Sequence, residues 1–166
     1  MATRIDQILE TLERSEDLYQ LLVPLMQREK GAALGSNPKI MAEVTADKEA
    51  LLAQLNALER QRTRLVHLAS EETKIPVTGL NLSALADLAG NDQKIRITRL
   101  QGTLARLVQT VKRQNDENRA LIQHCLDLTR SAIGFFQHWT IPASVYGASG
   151  NIRSGRPNGK LLSGNV

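Results

Sequence analysis

The chain has 166 residues, one cysteine, five aromatic residues and a formal net charge of +4. That length fits one domain whose core must come from Leu, Ile, Val and Ala. A single cysteine excludes an intrachain disulfide and is compatible with a reducing compartment, and the charge permits an anionic partner without requiring one. No apolar run approaches the ~18–20 residues that span a membrane. The start, Met1-Ala2-Thr3-Arg4-Ile5-Asp6, lacks the apolar stretch of a signal peptide. The expectation is a soluble, cytoplasmic protein.

In chain order, residues 3–30 form the first predicted helix. Ile5, Ile8, Leu12, Tyr19, Leu22 and Met26 follow 3-4 spacing, broadened by Leu9 and Val23. Pro24 lies inside the pattern and predicts a bend between Gln20 and Pro24, and Gly31 is expected to end the helix. Asn37-Pro38 restarts helix with a cap and a proline in the first turn. The second helix, 38–73, has its seam at Val44, Leu51, Leu55, Leu58, Leu65 and Ala69, helped by Leu52 and Val66. Lys48 and Arg62 share that seam, and are read as stems lying over apolar surface with their charges in water.

Residues 75–91 break the periodicity at Pro76 and Gly79. Asn81 or Ser83 is placed to cap a short helix through Ala89, which Gly90 ends. Asn91 or Asp92 then caps a third helix, 92–139. Here a seven-residue repeat runs Ile97, Leu104, Val111, Asn118, Cys125, Ala132, Trp139, and its companion runs Leu100, Leu107, Gln114, Leu121, Leu128, Phe135. Such a repeat predicts a coiled-coil helix roughly 70 Å long. The next position reads Gln101, Val108, Asn115, Ile122, Thr129, Phe136, which widens the stripe enough for two partners. The fold class expected is all-α: an elongated antiparallel three-helix bundle or coiled coil over 1–140, with a short extra helix between helices 2 and 3. Gln114 and Asn118 form its polar core layer.

From Thr140 the composition changes. Seven glycines and prolines punctuate the remainder, Arg153, Arg156 and Lys160 make it basic, and no acidic residue follows Asp127. Residues 141–166 therefore read as a disordered, flexible, Gly-rich tail. Its spaced Ile141, Val145, Tyr146, Ile152, Leu161 and Leu162 admit two readings, a segment that folds on a partner or an inert terminus.

Catalytic chemistry finds little support. His67, His124 and His138 are the only histidines, and adjacent His124-Cys125 point in different directions on a helix, unlike a zinc site. Cys125 occupies a core position and reads as a small apolar filler. The stretch from Gly155 to Leu161 is one residue short of a phosphate-binding loop and has Leu161 where Ser or Thr is needed. No enzyme activity, cofactor or metal is expected. Arg99, Arg106 and Arg113 make one basic row, near Lys94, Arg96, Lys112 and Arg119. No aromatic residues interleave with them for base stacking, so a solvated coiled-coil face is the better reading than a nucleic-acid site. Four aromatics, Phe135, Phe136, Trp139 and Tyr146, instead gather where the third helix gives way to the tail. An exposed apolar end there marks an interaction surface; the alternative, open for Phe135, is that another helix covers it.

Three stretches carry a family resemblance. They are Lys48 with paired Leu51-Leu52 and the Leu58-Glu59-x-x-Arg62 ending; Asn115-x-x-Asn118-x-x-Leu121-Ile122; and Val145-Tyr146-Gly147-Ala148-Ser149-Gly150. In order and spacing the chain resembles the FlgN family of flagellar export chaperones over nearly its whole length. Ser149 departs from it, standing where an acid is common. The resemblance implies a cytosolic type III export chaperone without catalysis. It would bind C-terminal helical regions of FlgK-like and FlgL-like hook–filament junction proteins, prevent premature association and deliver them to an FlhA-like export-gate component. It associates Tyr146 with gate docking. The residues themselves offer Leu121, Ile122, Leu128, Phe135, Phe136 and Trp139 as a client-binding stripe with helical spacing. The alternatives are a self-associating structural coiled coil and a basic nucleic-acid-binding helical protein.

Overall fold

A computed structural model describes residues 2–140, with side chains for 3–137. All regular structure among the described residues is helical: α1 spans Ala2–Leu34, α2 Pro38–Thr73, α3 Leu82–Leu88 and α4 Asn91–Thr140, with one 3-10 turn at Val77–Gly79. The tail expected over 141–166 lies outside the described residues.

The first helix does not stop at Gly31. It runs on to Leu34 because Ala32 and Ala33 are buried, and their packing offsets the ~1 kcal/mol that glycine costs inside a helix. The true stop is a Schellman turn. Ser36 takes the left-handed conformation (φ 47°), its N–H donates to Ala33 O at 3.2 Å, and Asn37 N–H donates to Ala32 O at 3.0 Å. Asn37 also starts α2, its side chain accepting from Ile40 N–H at 3.1 Å, with Pro38 in the first turn. One residue thus closes α1 and opens α2, which makes the hairpin tight. Pro24 sits inside α1, and helix continues on both sides of it. Its neighbours Leu22 and Met26 are buried, so packing holds the helix across a residue that removes a backbone donor.

The second helix ends at Lys74, again left-handed, and Ser70 Oγ donates to Ile75 O at 2.6 Å across the turn. Asn81 caps α3 by accepting from Ala84 N–H at 2.9 Å. The cap of α4 is Gly90 rather than Asn91 or Asp92. The Gly90 carbonyl accepts from Lys94 N–H at 2.9 Å, and its own N–H donates to Gln93 Oε1 at 3.3 Å. This is half of a capping box, with the side chain three residues on supplying the acceptor. Asp92 remains useful within the first turn, where a carboxylate meets the positive end of the helix.

Two compact units divide the chain, Met1–Gln123 and His124–Val166. In the first, Ile5, Ile8, Leu9 and Leu12 of α1 pack with Val66 and Ala69 of α2, Leu80, Leu85 and Ala86 of the connection, and Ile97 and Leu100 of α4. The connection therefore closes one end of the core. The ion pairs give the helix directions. Arg4 meets Glu72 at 2.9 Å and Glu29 meets Lys48 at 2.8 Å, so α1 and α2 are antiparallel. Asp6 accepts from Gln93 at 2.9 Å, and Met26 O accepts from Asn118 Nδ2 at 2.7 Å, so α1 and this part of α4 run parallel. Most of the burial is on α1, whereas α2 buries only Val44, Val66 and Ala69.

Candidate functional site

Asn118 stands in the heptad register of α4 where Ile97 and Leu100 make core earlier. A buried amide must be hydrogen-bonded. Its Nδ2 donates to Met26 O at 2.7 Å and to Glu29 Oε2 at 2.8 Å. Glu29 in turn accepts from Lys48 Nζ at 2.8 and 2.9 Å. A chain of polar contacts so joins α1, α2 and α4 at one level. The side chains of Lys48 and Glu29 are only 14% and 9% exposed. This corrects the reading of Lys48 as a stem with its charge in water: its ammonium is spent on a buried carboxylate. Such a pair adds little net stability, because desolvation offsets attraction, but losing either partner strands a buried charge. Gln114, one turn earlier, is half-buried, and its Oε1 lacks a hydrogen-bond partner. Arg62 behaves more nearly as read. It is partly exposed and hydrogen-bonds Glu59 through Nε at 2.8 Å, and this bond holds the Glu59 carboxyl below its ordinary range.

The basic row divides. Arg99 donates to both oxygens of buried Glu16, at 3.1 and 3.0 Å, and Arg96 to both of Glu13, at 2.9 Å. These bonds tie α4 to α1. Arg113 pairs with Glu117 on its own helix at 2.7 Å, and Arg106 reaches only Gly102 O, at 3.4 Å. Arg99 is therefore part of an interhelical ladder rather than a solvated face. The sequence holds its signal, since Glu13 and Glu16 have the same three-residue spacing as Arg96 and Arg99.

Beside Asn118 an open pocket of about 260 Å³ is lined by Glu29, Asn115, Asn118, Arg119, Ile122 and Gln123. Leu121 and Ile122 are half-buried. Further along α4 the same repeat comes to the surface: Leu128 is 58%, Phe135 61% and Phe136 63% exposed. The two phenyl rings lie edge to face, 6.0 Å apart. Leu126 and Ile133 are exposed as well; the heptad reading passed over them because they fall outside its two seams. The backbone of Trp139 belongs to α4, but its side chain lies outside the described residues, and Tyr146 lies outside them altogether. Cys125 is half-buried. Among the described residues no cluster of His, Cys, Asp and Glu is arranged to hold a metal ion, and no helix is long and apolar enough to cross a membrane.

A family model described as FlgN protein matches residues 1–154. The chain belongs to the FlgN family. This is the flagellar export chaperone family. The match takes in all four helices and continues past the end of α4, so it includes Tyr146. Neither the comparison with curated proteins nor that with solved structures returned a match. In this FlgN chain the Asn115-x-x-Asn118-x-x-Leu121-Ile122 stretch has a physical reading. Asn118 fixes α4 to α1, while Asn115 and Ile122 line the adjoining pocket.

Proposed function

We propose that this FlgN-family protein is a type III export chaperone whose α4 receives a C-terminal helix of a FlgK-like or FlgL-like hook–filament junction protein. The observation that carries the reading is the exposure of Leu128 and Phe135 at a heptad position where Leu100 is buried earlier on the same helix, with Phe136 exposed next to Phe135. Large apolar side chains at helical spacing form a surface that an amphipathic helix completes. Leu121, Ile122, Leu128, Phe135, Phe136 and Trp139 are the proposed contacts. In this account α1, α2 and α4 are an antiparallel three-helix bundle, and the polar layer at Gln114 and Asn118 sets the register of α4 within it. A bound client is kept from premature association and carried to an FlhA-like gate component, with Tyr146 serving the docking step. No step of this work calls for a cofactor, metal or bond-making chemistry.

Replacing Phe135, Phe136 and Trp139 together by Ala is expected to abolish capture of the FlgK-like and FlgL-like proteins with helicity unchanged by circular dichroism. Capture at the original level would refute the assignment. Tyr146→Ala is expected to spare client affinity and weaken binding to the FlhA-like component. If client affinity falls in that variant, the two roles are wrongly divided. Concentration-dependent self-association with no client bound would favour a structural coiled coil instead.

A further inference from the structure

We propose that Arg119 and Asn115 form a carboxylate-reading pocket that takes an Asp or Glu side chain of the client helix. The inference rests on the proposed chaperone function and sharpens it. Six arginines lie on the described part of α4. Arg96, Arg99, Arg113 and Arg130 pair with carboxylates, and Arg106 bonds a backbone carbonyl. Arg119 has no hydrogen bond or ion pair with any described residue. Nor does the Asn115 side chain, one turn before it on the same pocket wall.

One carboxylate, Glu29, lines the same pocket, but it is already engaged. Both oxygens of Glu29 accept from Lys48, and one also accepts from Asn118. Its charge is therefore matched by Lys48, and it makes no ion pair with Arg119, which lines the same pocket. Glu117 is engaged by Arg113 and Lys30, and Asp116, three residues before Arg119, makes no ion pair with it. Guanidinium is the group best suited to hold a carboxylate by two parallel N–H bonds, and the Asn115 amide adds a neutral donor beside it. Ile122, a proposed client contact, lines the same pocket. A helix seated against it would therefore bring a side chain within reach of Arg119. The apolar stripe would supply most of the affinity, and this pocket would select sequence and register, which is what rim charges do best.

The probes are the purified C-terminal helical segments of the FlgK-like and FlgL-like proteins of the same bacterium, titrated against the full chain at several salt concentrations. Arg119→Glu is expected to weaken binding about tenfold and Arg119→Gln by about threefold, with a shallower salt dependence in both. Changing one client acid to Lys should restore binding to the Arg119→Glu chain, which damage to the fold would not allow. Binding of both Arg119 variants within about twofold of the parent, or a loss that no client charge change restores, would overturn the pocket. If that happens while Phe135→Ala/Phe136→Ala still abolishes binding, the chaperone reading stands without it. If the parent chain binds neither segment, both fall.

Discussion

The two halves of α4 carry one seven-residue pattern and meet opposite fates. In the first half Leu100 is 0% exposed and packs with residues from α1, α2 and α3. In the second, Phe135 holds the equivalent heptad position and is 61% exposed. Asn118 stands between them, buried and bonded to α1. The periodicity therefore states that a face wants a partner, but not whether that partner lies in the same chain. Where α1 and α2 supply it, as at Ile97 and Leu100, the pattern becomes core; at the exposed Leu128 and Phe135 the proposal is that a client helix supplies it.

That contrast can be broken experimentally. The largest effect on folding is expected from Leu100→Ala, which should lower unfolding stability by about 3 kcal/mol in urea titration, the ordinary loss for a buried leucine. Glu29→Ala comes next. It strands Lys48 beside Asn118, and since Lys48 keeps some exposure and can turn to water, the loss should be about 2 kcal/mol. Replacing Glu29, Lys48 and Asn118 together with Leu, Met and Leu should recover most of it. Failure to recover would mean that the polar layer does more than neutralise itself. Phe135→Ala should change stability by no more than about 0.5 kcal/mol, as an exposed position does. A loss as large as that of Leu100→Ala would erase the distinction between the halves.

The smallest effect concerns pH. Arg4 hydrogen-bonds the Glu72 carboxyl and holds it below its ordinary value of 4.5. A depressed carboxylate pKa stabilises the folded state above the unfolded value, and the contribution disappears as pH falls through the folded one. Glu72→Gln should therefore be slightly less stable than the parent at neutral pH. Paired unfolding curves should show the difference closing in acid. A gap that widens on acidification would contradict the assignment of Arg4 as the cause.

Much of the helical layout was legible, and particular residues show why the rest was not. Asn37-Pro38 announces the start of α2 through chemistry that is local to four residues. Gly31 misleads because the packing of Ala32 and Ala33 outweighs a local preference, and the stop falls instead on Ser36, whose left-handed conformation no side chain advertises. The cap of α4 was misplaced because a glycine backbone, completed by Gln93, took the place of the expected Asn91 or Asp92 side chain. Lys48 was misread for a different reason: its partner Glu29 sits 19 residues away, and Asn118 lies 89 from Glu29. No local pattern links them. Of the candidate face, Leu128, Phe135 and Phe136 were visible as heptad positions, whereas Leu126 and Ile133 emerge only when exposure is measured.

Hydrogen–deuterium exchange on the full chain, with and without the FlgK-like C-terminal segment, tests the central claim most directly. The account predicts new protection along 121–140, with little change around Ile97 and Leu100, whose amides are already shielded by the core. Protection appearing on α1 and α2 while 121–140 exchanges as before would contradict it.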